Sequence, residues 1–383
     1  MRLRTIAVVA ALLLACAACL PAPPLSVSST RTGLNFPWDV GWTPANANPA
    51  HALVYTERPN GLTIVNGSQV VLHWKPADLL VASEAGMMSF QLAPDFVTSR
   101  RLFVCFASTA AGTPDVRIAR LTLASGYGAV TNRTDILTGA PINPTGELGR
   151  HSGCRLKFGP DGYLWVGTGD SAVGTVPQNP WSLGGKILRI DQNGKGAPGN
   201  AGYIFDPRIM SWGHRNVQGI AFRGNQASGV EHGTGCDDEV NRLVVGNYGW
   251  DPVPQRPGAP QYDESAPMTD LRKYPDAIRA SWSSGCPTIA PSGATFVNGT
   301  QWGTWNGGLV LGVLKGEQLR MIGLSADGWR SVAFSVSFPG QGRLRTPAVG
   351  PDGALYVTTG NGGNVDKILR FTPRAAVAGG PAT

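Results

Sequence analysis

Charge is scarce in this 383-residue chain: 32 Lys and Arg with 25 Asp and Glu amount to 15% of it. Coiled coils and long solvent-facing helices need dense Glu, Lys and Arg, so the composition argues against both. No run of Lys and Arg is interleaved with aromatics, so the net charge of +7 does not describe a nucleic-acid surface; a few arginines holding an acidic ligand account for it as well. Histidine is sparse too, with only His51, His73, His151, His214 and His232, and none stands in H-E-x-x-H. There is no G-x-S-x-G elbow, no P-loop, and no G-x-G-x-x-G placed between a strand and a helix. Zincins, serine hydrolases of that type and nicotinamide enzymes are thereby disfavoured. Beyond the first residues, no apolar run approaches the roughly twenty that a membrane-spanning helix requires.

What the chain has in excess is turn-formers, 51 Gly and 30 Pro, beside 42% hydrophobic residues. That combination supplies a core and many turns, and it favours a mostly β fold.

The first residues read as an export signal. Arg2 and Arg4 precede an apolar stretch from Ile6 to Leu14, and small residues surround Cys16 and Cys19. Residues 1–18 are expected to be removed, in the manner of a bacterial lipoprotein with Cys19, or else Cys16, lipidated. The protein is then exported, either held at the cell envelope by that lipid alone or free in the periplasm or outside. Residues 19–30, with Pro21, Pro23 and Pro24, read as a flexible leader and residues 374–383 as a disordered tail. Export also makes Cys105, Cys154, Cys236 and Cys286 disulfide candidates, since no C-x-x-C spacing suggests zinc or a redox dithiol.

A repeat governs the rest. Residues 159–170, starting Gly-Pro-Asp-Gly, recur as residues 350–361 with eight of twelve positions identical. Pro-Asp-Gly makes a turn, because proline presets φ and glycine accepts a positive one, and the Leu/Val alternation after it makes a half-buried strand. A weaker copy starts at Pro94; from there to Pro160 is 66 residues, and from Pro160 to Pro351 is 191, near three such units. The chain holds between five and six units of that length, which fits an all-β, six-bladed β-propeller of four-stranded antiparallel blades over residues 31–373. Three disulfide pairings are open; linkage of neighbouring repeats favours Cys105 with Cys154 and Cys236 with Cys286.

A propeller builds its site from loops of several blades at one end of the channel, so functional residues are scattered in sequence. Five loop clusters stand out: residues 149–155, 213–216, 231–239, 314–316 and 342–345. In this order and spacing, with residues 89–96, 182–190 and 246–250, they resemble the glucose/sorbosone dehydrogenases. These are quinoproteins that carry pyrroloquinoline quinone (PQQ) and calcium on a six-bladed propeller, and Gly149-Arg150-His151 is most similar to their aldose sugar dehydrogenase branch. The resemblance implies oxidation of the anomeric carbon of an aldose to a lactone, with an electron acceptor that the sequence does not name.

PQQ carries three carboxylates and an ortho-quinone, so its site needs cations, a metal and a base. By the resemblance, Lys315, Arg343 and Arg345 bind the carboxylates, and the spacing of the two arginines would set both on one face of a strand. His151 matches the general base and Arg215 the residue that polarises the quinone oxygen, with Asn216 beside it and His214 structural. Taken alone, the arginines would be a solvated pair and His151 a structural histidine; their company reverses both readings. Gly233 and Thr234 match the calcium ligands through their carbonyls, while Asp238 and Glu239 either serve a calcium site or brace the loop. Thr234 replaces a usual proline, Glu84 stands where the family has a glutamine near the cofactor, and Cys286 replaces an aromatic over the site. An unpaired carboxylate at Glu84 would repel the quinone. Two other readings stay open: a non-catalytic propeller that binds carbohydrate or a partner, and a calcium-dependent propeller lactonase, which would leave Lys315, Arg343 and Arg345 without a task.

Overall fold

A computed structural model describes residues 18–143, 147–254, 261–337 and 340–374. The expected export segment with Cys16 and the tail beyond residue 374 lie outside them.

Six antiparallel sheets stand round one axis. Their inner strands are Pro37–Trp42, Met87–Leu92, Gly153–Phe158, Val217–Arg223, Pro291–Phe296 and Leu344–Val349. Each packs against the inner strands of both neighbouring blades, which closes the ring. Four strands per blade hold throughout; blade three gains Gly246–Asn247 and blade five gains Ala18–Cys19 as a fifth, both in parallel.

The repeat sits where its spacing put it. Gly162 and Gly353 adopt φ of 78° and 73°, a region open to glycine at little cost. Each turn leads into the second strand of its blade, Leu164–Thr168 in blade three and Leu355–Thr359 in blade six. Even the supporting contacts recur: Asp161 accepts from Trp165 and Arg189, as Asp352 accepts from Tyr356 and Arg370. The Pro94 copy leads into Arg101–Ser108, the second strand of blade two.

Blade six is completed from the other end of the chain. Leu25–Leu34 forms its outer strand against Asp366–Pro373, with Leu25 opposite Pro373 and Leu34 opposite Asp366. Half of the segment expected as leader is therefore a strand, an edge with residues 27–30 exposed in succession. Cys19 is exposed on the edge of blade five.

Apolar side chains fill the space between blades. Phe103 and Cys105 of blade two meet Cys154, Leu156 and Val166 of blade three in one buried cluster. The Cys105–Cys154 disulfide crosses that seam. Cys236–Cys286 is the second disulfide, but it closes loops around blade four rather than linking two blades. No helix among the described residues is long and apolar enough to cross a membrane.

Candidate functional site

His151 sits in the turn that enters the inner strand of blade three, with a φ of 50° and only 4% of its surface exposed. That backbone is unfavourable for a residue with a side chain, and such strain persists only where the surroundings impose it. Gly169 shows how: a Cβ there would lie 1.8 Å from the carbonyl oxygen of His151, so only glycine lets the two segments meet.

The ring is fixed by Asp170. His151 Nδ1 lies 2.9 Å from Oδ1 of this fully buried carboxylate. Asp170 Oδ2 accepts from Trp250 Nε1 and from the Tyr262 hydroxyl, each at 2.7 Å. Burial would raise the Asp170 carboxyl, but His151, Arg215 and Tyr262 together hold it below its ordinary range. Burial and Asp170 push Tyr262 well up, so its hydroxyl keeps its proton and donates it. An ionised acceptor at Nδ1 keeps the proton there and leaves Nε2 as the basic nitrogen. Arg150 Nε is 3.4 Å from that Nε2.

Arg215 approaches from the link between blades three and four. Its Nη1 donates to the His232 carbonyl at 3.2 Å and its Nη2 to Glu264 at 2.9 Å, while its Nε is buried without a partner. His214 spends both ring nitrogens on Glu231 and Ser211, a structural use. Asn216, fully buried, accepts from the Gly153 amide and donates to Glu84 at 3.1 Å. Glu84 is therefore paired. Burial raises its carboxyl, yet His151, His232 and Asn216 outweigh that and bring it below its usual range.

The arrangement continues to Arg345. Gln218 stands 3.5 Å from Glu84 through its amide nitrogen and accepts from Arg345 Nη1 at 3.0 Å. Burial, with Arg58, Arg343 and Arg155 nearby, pushes Arg345 down to about 9 against the opposing pull of Glu84, and its Nε has no partner. Arg343 is exposed just before the strand that starts at Leu344, its amide on Asn361, and its charge acts on Arg345 and Arg58. Lys315 is exposed on the turn after Leu309–Val313 and makes no ion pair among the described residues. The structure thus joins His151, Arg215, Asn216, Glu84 and Arg345 through direct or shared contacts, while Lys315 and Arg343 are exposed on adjoining loops.

The acidic loop divides its labour. Asp238 receives Gly233 N and Thr288 Oγ1 on one oxygen and the amides of Ile289 and Ala290 on the other, so it braces the loop. Glu239 shares Asn241 with Glu231, and burial together with Glu231 pushes it up to about 8. The carbonyl oxygens of Gly233 and Thr234 accept no hydrogen bond among the described residues. Among those residues no group of three or more His, Cys, Asp or Glu could hold a metal. Cys286, in place of the aromatic, ties this loop to blade four through Cys236.

Asp170, Tyr262, Trp250, Glu264, Gln218 and Arg58 were not singled out from the sequence. Asp170 carried a signal, because it is the last residue of the first repeat, where the second has Asn361. Arg58, stacked 3.9 Å over Phe36 with Nε unpartnered, carried none. A cavity of about 620 Å³ lies at the other mouth of the channel against Trp42, Gln91, Lys157 and Pro347, away from all of these.

The family model described as "Glucose / Sorbosone dehydrogenase" matches residues 34–370, and the chain belongs to that family. It is 27% identical to the aldose sugar dehydrogenase YliI of Escherichia coli over 91% of this chain and 93% of that protein. With quinoprotein glucose dehydrogenase B of Acinetobacter calcoaceticus the identity is 25%, over 84% of this chain and 85% of the other. The PQQ-bound aldose sugar dehydrogenase of Streptomyces coelicolor aligns with a TM-score of 0.69 at 28% identity, covering 92% of this chain and 99% of that one.

Proposed function

We propose that the protein is an exported quinoprotein that oxidises the anomeric carbon of aldoses to lactones and passes the electrons to a separate acceptor. The observation that carries this reading is a set of buried side-chain nitrogens without partners around one channel mouth: the Nε–H donors of Arg58, Arg215 and Arg345 and the ring Nε2 of His232. Unpaired buried donors are costly, and a ligand with several carboxylates and carbonyls relieves that cost. The residues fit PQQ in this respect, since the single charge of Glu84 is outnumbered by those of Arg58, Arg343 and Arg345 around it. Arg345, Arg343 and Lys315 would hold its carboxylates. Calcium would sit on the carbonyls of Gly233 and Thr234 and bring its charge to the cofactor's oxygens; Glu239 is available to a second, structural ion.

When bound, PQQ supplies the electrophilic carbon that accepts a hydride from C1 of the sugar. His151 takes the proton of the anomeric hydroxyl on Nε2, so the sugar loses a hydride and a proton and becomes the lactone. Asp170, held by Trp250 and Tyr262, stabilises the imidazolium that forms. Arg215, with its Nε free of partners, would supply positive charge where the cofactor's oxygen gains negative charge. Attachment through lipidated Cys19 belongs to the same reading.

Reconstitution tests it. Protein freed of cofactor, given PQQ and calcium, should reduce a dye in the presence of aldoses, and His151→Ala should abolish this while still binding PQQ. PQQ binding without oxidation of any sugar would favour the non-catalytic propeller; no PQQ binding would overturn the quinoprotein reading.

A further inference from the structure

Part of the wall beside His151 comes from a stretch without any recognisable motif: Tyr262 lies at Nδ1, 3.2 Å away, and Glu264 reaches the Nε2 side through Arg150. Residues 261–281 lead to Trp282–Ser283 of blade four, and they bring Tyr262 and Glu264 over the base. Glu264 bridges two guanidinium groups: its Oε2 lies 2.9 Å from Nη2 of Arg215, and its Oε1 accepts from Nη2 of Arg150. Arg150 also meets Glu147 at 3.2 Å on the solvent side. Both arginines flank the reacting position, one beside Nε2 and the other through the buried side chain assigned to the cofactor.

Without Glu264 this wall would present two positive charges to whatever enters, and a carboxylated ligand would be drawn to it. With Glu264 and Glu147 in place the four charges cancel. A neutral polyol then finds donors on Arg150 and acceptors on Glu264 for its hydroxyls, with the Tyr262 ring alongside. A sugar bearing a carboxylate must come against Glu264 or displace it from two guanidinium groups, and charge-assisted pairs of this kind are the strong ones. At 39% exposure the Glu264 side chain is open to an incoming ligand. We propose that Glu264 is the specificity-determining residue of the site, selecting neutral aldoses over carboxylated sugars such as uronic acids. This rests on the sugar-oxidation reading.

The test compares D-glucose with D-glucuronate in the PQQ- and calcium-loaded protein and, separately, their binding to the cofactor-free protein by saturation-transfer NMR. In Glu264→Gln the ratio of kcat/KM for glucose to that for glucuronate should fall at least about tenfold, as expected for one unit charge a few ångströms from the ligand in a partly wet site. The fall should shrink at 1 M salt, and Glu264→Asp should keep the wild-type ratio. A ratio within twofold of wild type in Glu264→Gln, an equal fall at high salt, or the same fall in Glu264→Asp would overturn the proposal. If the wild type oxidises neither sugar, the sugar-oxidation reading fails on its own and binding decides for Glu264. A glucuronate signal gained only in Glu264→Gln then supports the charge filter, and equal signals in both proteins sink it.

Discussion

Asp170 and Asn361 end the two copies of one turn-and-strand repeat, and each turns its side chain onto a residue of the site: Asp170 onto the His151 ring at 2.9 Å, Asn361 onto the amide of Arg343 at 3.0 Å. The same local fold thus delivers an ionised acceptor to the base in blade three and a neutral one to the cation loop in blade six.

Giving blade three the residue of its counterpart tests the difference. In Asp170→Asn the imidazole loses the partner that fixes its proton on Nδ1, so kcat should fall roughly 10²- to 10⁴-fold. PQQ affinity, followed by quenching of protein fluorescence, should stay within a few-fold of wild type. An equal loss of binding would show that Asp170 holds the site together rather than tuning its base.

Arg345 stands in the fold as a cation with an unsatisfied Nε and a value pushed down to about 9. Replacing such a buried charge by an apolar side chain of similar reach is often neutral or stabilising. Arg345→Met should keep or raise the melting temperature of the cofactor-free protein and lose at least about tenfold in PQQ affinity, a loss of roughly 1.4 kcal/mol or more. A large fall in melting temperature would mean that its bonds to Gln218 and Ser292 outweigh its desolvation. Arg343→Ala, on the exposed loop, should weaken PQQ binding without altering stability.

Glu239 gives the stability a pH dependence. Its carboxyl titrates near 8 in the fold instead of at its ordinary 4.5, because of burial and the neighbouring Glu231. Between those values the folded chain keeps a proton that the unfolded chain has released, so this group's contribution is complete below 4.5 and is lost as pH rises through 8. Glu239→Gln should show a flatter decline of melting temperature from pH 5 to pH 8 in the presence of a chelator. If Glu239 holds calcium, adding the ion to the wild type should restore stability most at the alkaline end.

The closing strand makes a prediction about length. A chain starting at Leu25 should lose only part of its melting temperature, since it gives up the Ala18–Cys19 pairing, the packing of Leu20 and Ala22 on the core and the hydrogen bonds to the Pro21 and Pro24 carbonyls but keeps all six blades. A chain starting at Asn35 loses the outer strand of blade six and exposes Asp366–Pro373 as an unpaired edge. It should melt several degrees lower and show aggregation by light scattering; equal behaviour of the two chains would mean that the ring does not need this closure.

The architecture was legible because the turn from Gly159 and the turn from Gly350 keep both their residues and their spacing, which fixes the number of blades between them. His151, Arg215 and Arg345 were legible because they sit in compact clusters whose order matches a family. Tyr262 and Glu264 were not, since nothing local distinguishes them and only the path of residues 261–281 over the channel gives them a place. Asp238 was ambiguous for a different reason: a carboxylate that binds a metal and one that collects four protein donors look alike until the loop is folded. The expected leader failed at Leu25 because an edge strand of Ser and Thr has the composition of a linker.

Leu25–Leu34 lies near one end of the chain and pairs with Asp366–Pro373 near the other. The strand made first is therefore among the last to find its place, and the ring cannot shut until almost the whole chain is present. During synthesis, five blades can stack while the sixth stays a three-sided gap. That delay keeps the ring open until the far end of the chain is available to close it.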